Sequence, residues 1–143
     1  MLTGQLALFT AALFAGAALY INVAEQPARL LLDDRALLAE WKPAYKNGFT
    51  LQAPLAVVGC LLGLAAWWRS GHAGWLSGAL LMIANWPYTL FVVMPTNRKL
   101  EAIDPVSAGQ DSRALIERWG SLHAVRTALG LAACLSFLWA SVS

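Results

Sequence analysis

Residues 49–68 read FTLQAPLAVVGCLLGLAAWW and residues 75–94 read WLSGALLMIANWPYTLFVVM, separated by Arg69-Ser70-Gly71-His72 and two small residues. As a helix, each run of about 20 residues is long enough to cross a hydrocarbon core about 30 Å thick. A connection this short joins such helices only as an antiparallel hairpin. Two more apolar runs lie outward of this hairpin, from about Leu2 to Val23 and from about Leu122 to Val142. The reading is therefore an all-α integral membrane four-helix bundle in one domain, residues 1–143, with spans at about 2–23, 49–68, 75–94 and 122–142.

Composition agrees with this reading. In 143 residues, 59% are hydrophobic and 13% charged, with a mean hydropathy of +0.57. A soluble domain carries about 25% charged residues, so a water-soluble globule is excluded. All eight acidic residues fall between the runs. A net charge of +2, with basic residues interleaved among acids, excludes a nucleic-acid partner. Cys60 and Cys134 lie inside apolar runs without a CxxC pair and read as small buried hydrophobes. The first run has no Lys or Arg before it and reads as a retained helix, not a signal peptide.

Charge placement predicts the orientation. Arg29, Arg35, Lys42 and Lys46 lie in the first connection and Arg98, Lys99, Arg113 and Arg118 in the third, against Arg69 alone in the hairpin turn. The positive-inside rule puts both long connections in the cytoplasm and both termini outside. Trp67, Trp68, Trp75 and Trp139 then form an aromatic belt at the outer interface. Asp33 and Asp34 start a short amphipathic helix that ends at Lys42-Pro43 and lies on the membrane surface. Asp111-Ser112 starts another, which runs on into the fourth span. The location expected is a bacterial inner membrane, multi-pass.

Polar residues at membrane depth are costly and therefore informative. Asn22, Glu25 and Arg29 share a helical face at i, i+3, i+7, just where Pro27 should kink or end the first helix. The third run carries Asn85, Trp86, Tyr88 and Thr89 around Pro87, then Asn97 at its exit. Trp119, His123 and Arg126 share a face of the fourth helix. Asn85 lies about nine residues, or about 14 Å, from the cytoplasmic end, near the bilayer midplane. Together these faces form an inward-opening pocket. Each residue also has a plainer reading. Glu25 could pair with Arg126 or Arg29, His123 could bond a carbonyl, and Asn85 could join two helices. Glu25 and His123 supply two metal ligands of suitable type, without a second histidine at depth. No nucleotide fingerprint is present, and no cofactor is predicted.

The strings 17–27 (AALYINVAEQP), 86–100 (WPYTLFVVMPTNRKL) and 119–126 (WGSLHAVR) resemble the small four-helix membrane proteins related to anthrone oxygenases. The most specific piece is Pro-Tyr-Thr, then Met-Pro-x-Asn, then Trp-x-x-x-His-x-x-Arg. The resemblance implies O2-dependent oxidation of a polycyclic phenol, from an anthrone methylene to a quinone carbonyl, without flavin or nicotinamide. It carries over Asn22, Glu25, Tyr88, Asn97, Trp119, His123 and Arg126. Their types suit the chemistry: His123 as base with Glu25 orienting it, and Arg126, Asn97 or Tyr88 on the developing enolate oxygen. Asn22, Asn85, Trp86 and Trp119 are expected to bind substrate.

Three readings follow: such an oxygenase, a non-catalytic protein binding a lipid, quinone or protein partner through the same pocket, and a small transporter, for which no inverted repeat is found. Membrane lipid and a hydrophobic small molecule are the expected partners. Gly59, Gly63, Gly74, Gly78 and Gly130 allow close helix approach, within the chain or in a homo-oligomer.

Overall fold

A computed structural model describes all 143 residues, with helix α1 at Leu2–Arg29, α2 at Asp34–Ser70, α3 at Ala73–Glu101 and α4 at Gln110–Val142. All four are long and apolar enough to cross a membrane. The hairpin turn between α2 and α3 is set by Gly71, whose φ of +71° is the left-handed conformation that glycine adopts without strain. His72 then caps α3, its Nδ1 accepting from the Gly74 N–H at 3.1 Å. The termini lie beside this turn: Met1, His72, Trp75 and Ser143 line one crevice there. The connections between α1 and α2 and between α3 and α4 lie at the opposite end, where most of the basic residues are.

The helices run well past the apolar stretches. At 1.5 Å per residue, the 37 residues of α2 extend about 55 Å. The surface helix expected at Asp33–Lys42 is not a separate element: the chain passes through Pro43 without a break and α2 begins at Asp34. The Asp33 side chain caps it by accepting from the Ala36 N–H at 2.9 Å. Packing overrides the proline, because Leu37, Leu38 and Trp41 on this extension are fully buried against Leu100 of α3 and Ile116 of α4. Lys42 ties the extension to the far connection by donating to the Ile103 carbonyl at 2.5 Å. The other expected extension is present, with α4 starting at Gln110 as the Ser112 hydroxyl bonds the Gly109 backbone.

Nor does Pro27 end α1. Residues Ile21–Glu25 form a π turn, and the helix continues through Pro27 to Arg29. Thr89–Val93 of α3 form a second π turn ahead of Pro95. At the turn end the bundle is held by large side chains set into glycines. A Cβ on Gly78 would sit 2.3 Å from the Phe137 ring, one on Gly59 2.8 Å from Met82, and one on Gly130 2.8 Å from Phe14. Gly63 and Gly74 likewise face α4, so all five glycines serve packing within the chain. Trp75 is part of this core, 4% exposed and packed on Phe137, and is not a belt residue; Trp68 and Trp139 do face outward.

There are thus two apolar cores. One, around Phe14, Met82 and Phe137, fills the turn end, and the other, around Trp41, Leu100 and Trp119, fills the basic end. Between them lies a layer of buried polar side chains drawn from all four helices.

Candidate functional site

This polar layer is organised around His123, which is 1% exposed. Its Nδ1 lies 2.8 Å from Asn22 Oδ1, which also accepts from the Thr127 hydroxyl at 2.7 Å. The amide is held the right way round because Asn22 Nδ2 donates to the Gly120 carbonyl at 2.9 Å. An amide oxygen only accepts, so Nδ1 of His123 carries the proton and Nε2 carries a lone pair. Nε2 is buried and has no partner. The ring leans on Trp119, centroids 5.0 Å apart, and Trp119 meets Trp41 edge-on at 5.9 Å.

In front of His123 is a small chamber of about 10 Å³, room for about one water, lined by Gln52, Thr89, Asn97, Trp119 and Arg126, among others. A second space of about 10 Å³, lined by Ala53, Asn85 and Trp86, shares Phe49, Thr89 and Arg126 with it. Unpartnered buried polar atoms gather here: Gln52 Oε1, Asn85 Oδ1, Thr89 Oγ1, Asn97 Oδ1 and Arg126 Nε, besides His123 Nε2. Buried polar atoms are nearly always paired, and each left bare costs about 1–3 kcal/mol. So many around one space mark it as a place for a ligand or ordered water that both donates and accepts hydrogen bonds. The Arg126 guanidinium also lies 5.7 Å from the centre of the Phe14 ring, which favours its charge.

The other residues singled out from the sequence divide into groups. Glu25 lines the chamber but pairs with Arg29, which also approaches Glu40 at 3.0 Å and sits 5.5 Å from the Trp119 ring centre. Of the plainer readings, the Glu25–Arg29 pair is therefore present. Asn85 does not join two helices; its Nδ2 donates to the Leu81 and Met82 carbonyls of its own helix, and its buried Oδ1 has no partner. Asn97 Nδ2 has only the Met94 sulfur, at 3.9 Å. Trp86 donates from Nε1 to the Ala53 carbonyl at 3.1 Å and meets Phe49 edge-on. Tyr88 donates to the Leu122 carbonyl at 2.7 Å, so its proton is committed to the bundle. Asn22 lies behind His123, outside the chamber lining. No group of three or more His, Cys, Asp and Glu side chains comes together as a metal centre. Cys60 and Cys134 are both free thiols.

Sequence reasoning missed Gln52, Thr127 and Gln26. Gln52 is 1% exposed and brings α2 into the site. A glutamine in the apolar run 49–68 was the available signal. Gln26 donates to the Ile116 carbonyl at 2.9 Å and lies in the notch left by Gly120.

The arrangement can take a proton at one fixed nitrogen and set a positive charge beside the product anion, in a compartment walled by aromatic rings. Known proteins resemble this chain along most of its length. The family model described as "Anthrone oxygenase" matches residues 41–136. The anthrone oxygenase tpcL of Aspergillus fumigatus is 29% identical over 137 residues, covering 89% of this chain and 85% of the relative. The anthrone oxygenase gedH of Aspergillus terreus is 32% identical over 109 residues, covering 69% and 71%. Both relatives are fungal and lend no support to a bacterial membrane. No solved structure matches the chain. Four apolar helices, a polar chamber built on the Trp-x-x-x-His-x-x-Arg string, and these matches agree: the chain belongs to the anthrone oxygenase family.

Proposed function

We propose that this site, widening to admit its substrate, oxidises an enolisable, membrane-soluble phenol of the anthrone type with O2, using His123 as the base. The observation that carries this reading is the bare Nε2 of a buried imidazole whose proton is pinned at Nδ1 by Asn22. A general base must present a lone pair to the proton that it removes, and this nitrogen presents one to the chamber.

The chemistry balances with O2 as the oxidant. Nε2 takes one proton from the ring methylene, and the pair of electrons left behind delocalises onto the ring carbonyl oxygen as an enolate. Arg126 lies where its charge stabilises that oxyanion. The carbanion and O2 form a carbon–oxygen bond, and the imidazolium returns its proton to the distal oxygen, giving a hydroperoxide. Loss of the remaining C–H proton with cleavage of the O–O bond expels water and leaves the carbonyl. The net change is CH2 + O2 → C=O + H2O. Phe49, Trp86 and Trp119 supply flat walls for a flat substrate. Asn97 and Gln52 offer acceptor oxygens to its hydroxyls. Asn22 positions His123, and Tyr88 fixes α3 to α4.

The basic end, with the chamber near it, faces the cytoplasm in this reading, by the same excess of Lys and Arg in the two long connections. The test is O2 uptake and quinone formation from anthrone by the purified protein in lipid vesicles, above the rate in empty vesicles. His123→Ala removes the base and is expected to lower turnover by about 10²–10⁴-fold while the protein still binds an anthraquinone. Full activity in His123→Ala overturns the assignment. Binding without O2 uptake in the unmodified protein would instead favour a non-catalytic quinone-binding role.

A further inference from the structure

Beside the His123 chamber the rings of Trp119, Trp41 and Tyr45 lie in series. Trp119 borders the chamber, with its ring centre 5.0 Å from that of His123. Trp41 meets Trp119 edge-on at 5.9 Å, and Tyr45, one turn further along α2, stacks on Trp41 at 4.4 Å with the planes 15° apart. Separations of this size put the rings in contact. Packing alone does not account for a tryptophan at position 41. The side chain is fully buried, yet its Nε1–H has no acceptor, and a bare buried donor costs about 1–3 kcal/mol that phenylalanine would avoid. What Trp41 offers beyond bulk is an indole, and indole and phenol rings give up a single electron far more readily than a phenyl ring.

The series also has a direction. At the inner end the Arg29 guanidinium lies 5.5 Å from the Trp119 ring centre. Coulomb repulsion disfavours a second positive charge there, less what Glu25 and Glu40 offset. At the outer end the Tyr45 hydroxyl lies beside the Glu101 carboxylate, which is 34% exposed and also faces Lys46 at 3.3 Å. An oxidised indole at Trp41 has no acceptor for its N–H proton. An oxidised phenol at Tyr45 has one in Glu101, and through it water. The missing electron therefore comes to rest on Tyr45. Tyr45 also borders the chamber, so an oxidising equivalent that strikes it directly ends in the same place.

We propose that Trp119, Trp41 and Tyr45 form an electron relay that clears stray oxidising equivalents from the site. This rests on the reading of the site as one that joins a carbanion to O2. If the carbanion loses one electron to O2 and the superoxide departs, the carbon radical left behind adds another O2 and becomes a peroxyl radical. The peroxyl radical takes an electron from Trp119 and the proton of the His123 imidazolium, giving the same hydroperoxide as the productive path. Trp41 then gives an electron to Trp119, and Tyr45 gives one to Trp41 while its hydroxyl proton passes to Glu101, which releases it to water. A water-soluble thiol gives the neutral Tyr45 radical a hydrogen atom and leaves as a thiyl radical.

The test needs neither substrate nor turnover. An ultraviolet laser pulse ejects an electron from tryptophan wherever it lies. It is applied to the protein in lipid vesicles with a nitroso spin trap present, and peptide mass spectrometry maps the trapped tyrosine and the oxidised tryptophans. Trp75 is the internal reference: it is as buried as Trp119, 4% exposed in both cases, but packs on Phe137 at the turn end. In the unmodified protein the trap should mark Tyr45, and Trp119 should be oxidised less than Trp75. Trp41→Phe should lower the marking of Tyr45 and bring Trp119 oxidation up to that of Trp75. Tyr45→Phe, at a half-buried position, should raise Trp119 oxidation as well, and decides the matter if Trp41→Phe does not fold. Trp119 oxidation that is the same in the variants as in the unmodified protein overturns the relay. A relay that works under the pulse in a protein that never consumes O2 leaves the electron path standing and removes the proposed chemistry.

Discussion

Asn22→Ala is the substitution that separates a tuned histidine from one that is merely buried. It removes three hydrogen bonds at once: from His123 Nδ1, from the Thr127 hydroxyl and to the Gly120 carbonyl. Polar contacts between membrane helices average about 0.6 kcal/mol and reach about 1.7, so the three together contribute about 2 kcal/mol to stability. The effect on His123 is of a different kind. With Asn22 gone, a proton on Nδ1 is a buried donor without an acceptor, a penalty of about 1–3 kcal/mol. That removes the preference for Nδ1, so the form protonated on Nε2, the wrong nitrogen for a base facing the chamber, is populated as well, and the imidazolium formed on proton transfer loses the acceptor that stabilised it. At 1.36 kcal/mol per factor of ten, turnover should fall about 10- to 100-fold while the affinity for a quinone changes little. The assay that a simple packing role would not move is nitrogen NMR. The chain has two histidines, so selective ¹⁵N labelling resolves both. His123 should show a protonated Nδ1 and a bare Nε2, and Asn22→Ala should exchange them or mix the two forms. A proton on Nε2 of the unmodified protein would refute the reasoning, as would Asn22→Ala with unchanged turnover and tautomer.

Other perturbations test the frame around the site. Gly78→Ala forces a methyl to within 2.3 Å of a Phe137 ring already clamped against Gly63, and should cost about 1–3 kcal/mol, seen as a lower unfolding temperature in detergent. Gly16→Ala, with nothing within 4 Å, should instead be neutral or raise it, and equal losses for both would contradict the packing described. Arg113 donates to the Asp34 carboxylate at 2.5 Å and to the Leu30 and Leu32 carbonyls, so Arg113→Met should loosen the connection between α1 and α2. Faster proteolysis at Leu31, already 88% exposed, is the expected result. Lys42→Met should do the same for the connection between α3 and α4 by freeing the Glu101 and Ile103 carbonyls, with quicker amide exchange over residues 102–109.

Hydropathy was a sufficient guide to the fold because a lipid environment leaves few alternatives: a run of 20 apolar residues has to satisfy its backbone internally, and helices do so. The same reasoning misjudged what lies beyond the lipid. Pro43 reads as a stop when only neighbours in sequence are considered. What holds α2 helical through it is Trp41, buried against Trp119 and stacked on Tyr45, a contact between residues 78 apart in the first case. Trp75 was misplaced for a related reason. Tryptophan near a helix end suits an interface equally well, and only the notch at Gly4, whose Cβ would lie 2.5 Å from the Trp75 ring, draws it into the core.

The site was legible in part for a more instructive reason. His123, Arg126 and Trp119 lie on a regular stretch of α4, where spacing of i, i+4, i+7 does imply one face, and all three do line the chamber. On α1 the same arithmetic grouped Asn22, Glu25 and Arg29, but a π turn intervenes at Ile21–Glu25. The extra residue re-phases the helix by about 100°, so that Asn22 and Gln26, not Asn22 and Glu25, pair with α4 at Gly120 and Ile116. Both π turns stand in the same relation to a proline: Ile21–Glu25 then Gln26-Pro27, and Thr89–Val93 then Met94-Pro95. A proline ring in a regular helix collides with the carbonyl four residues back, and widening the preceding turn by one residue moves that carbonyl aside. The two prolines therefore do not end their helices. Each widened turn lies just ahead of its proline, and Asn22, in the first of them, is the residue that bonds His123. Pro27→Ala, by allowing α1 to close into a regular helix, should rotate Asn22 away from His123 and reproduce the tautomer exchange of Asn22→Ala with every hydrogen-bonding side chain still present; an unaltered His123 spectrum in Pro27→Ala would show that the widening is held by packing alone.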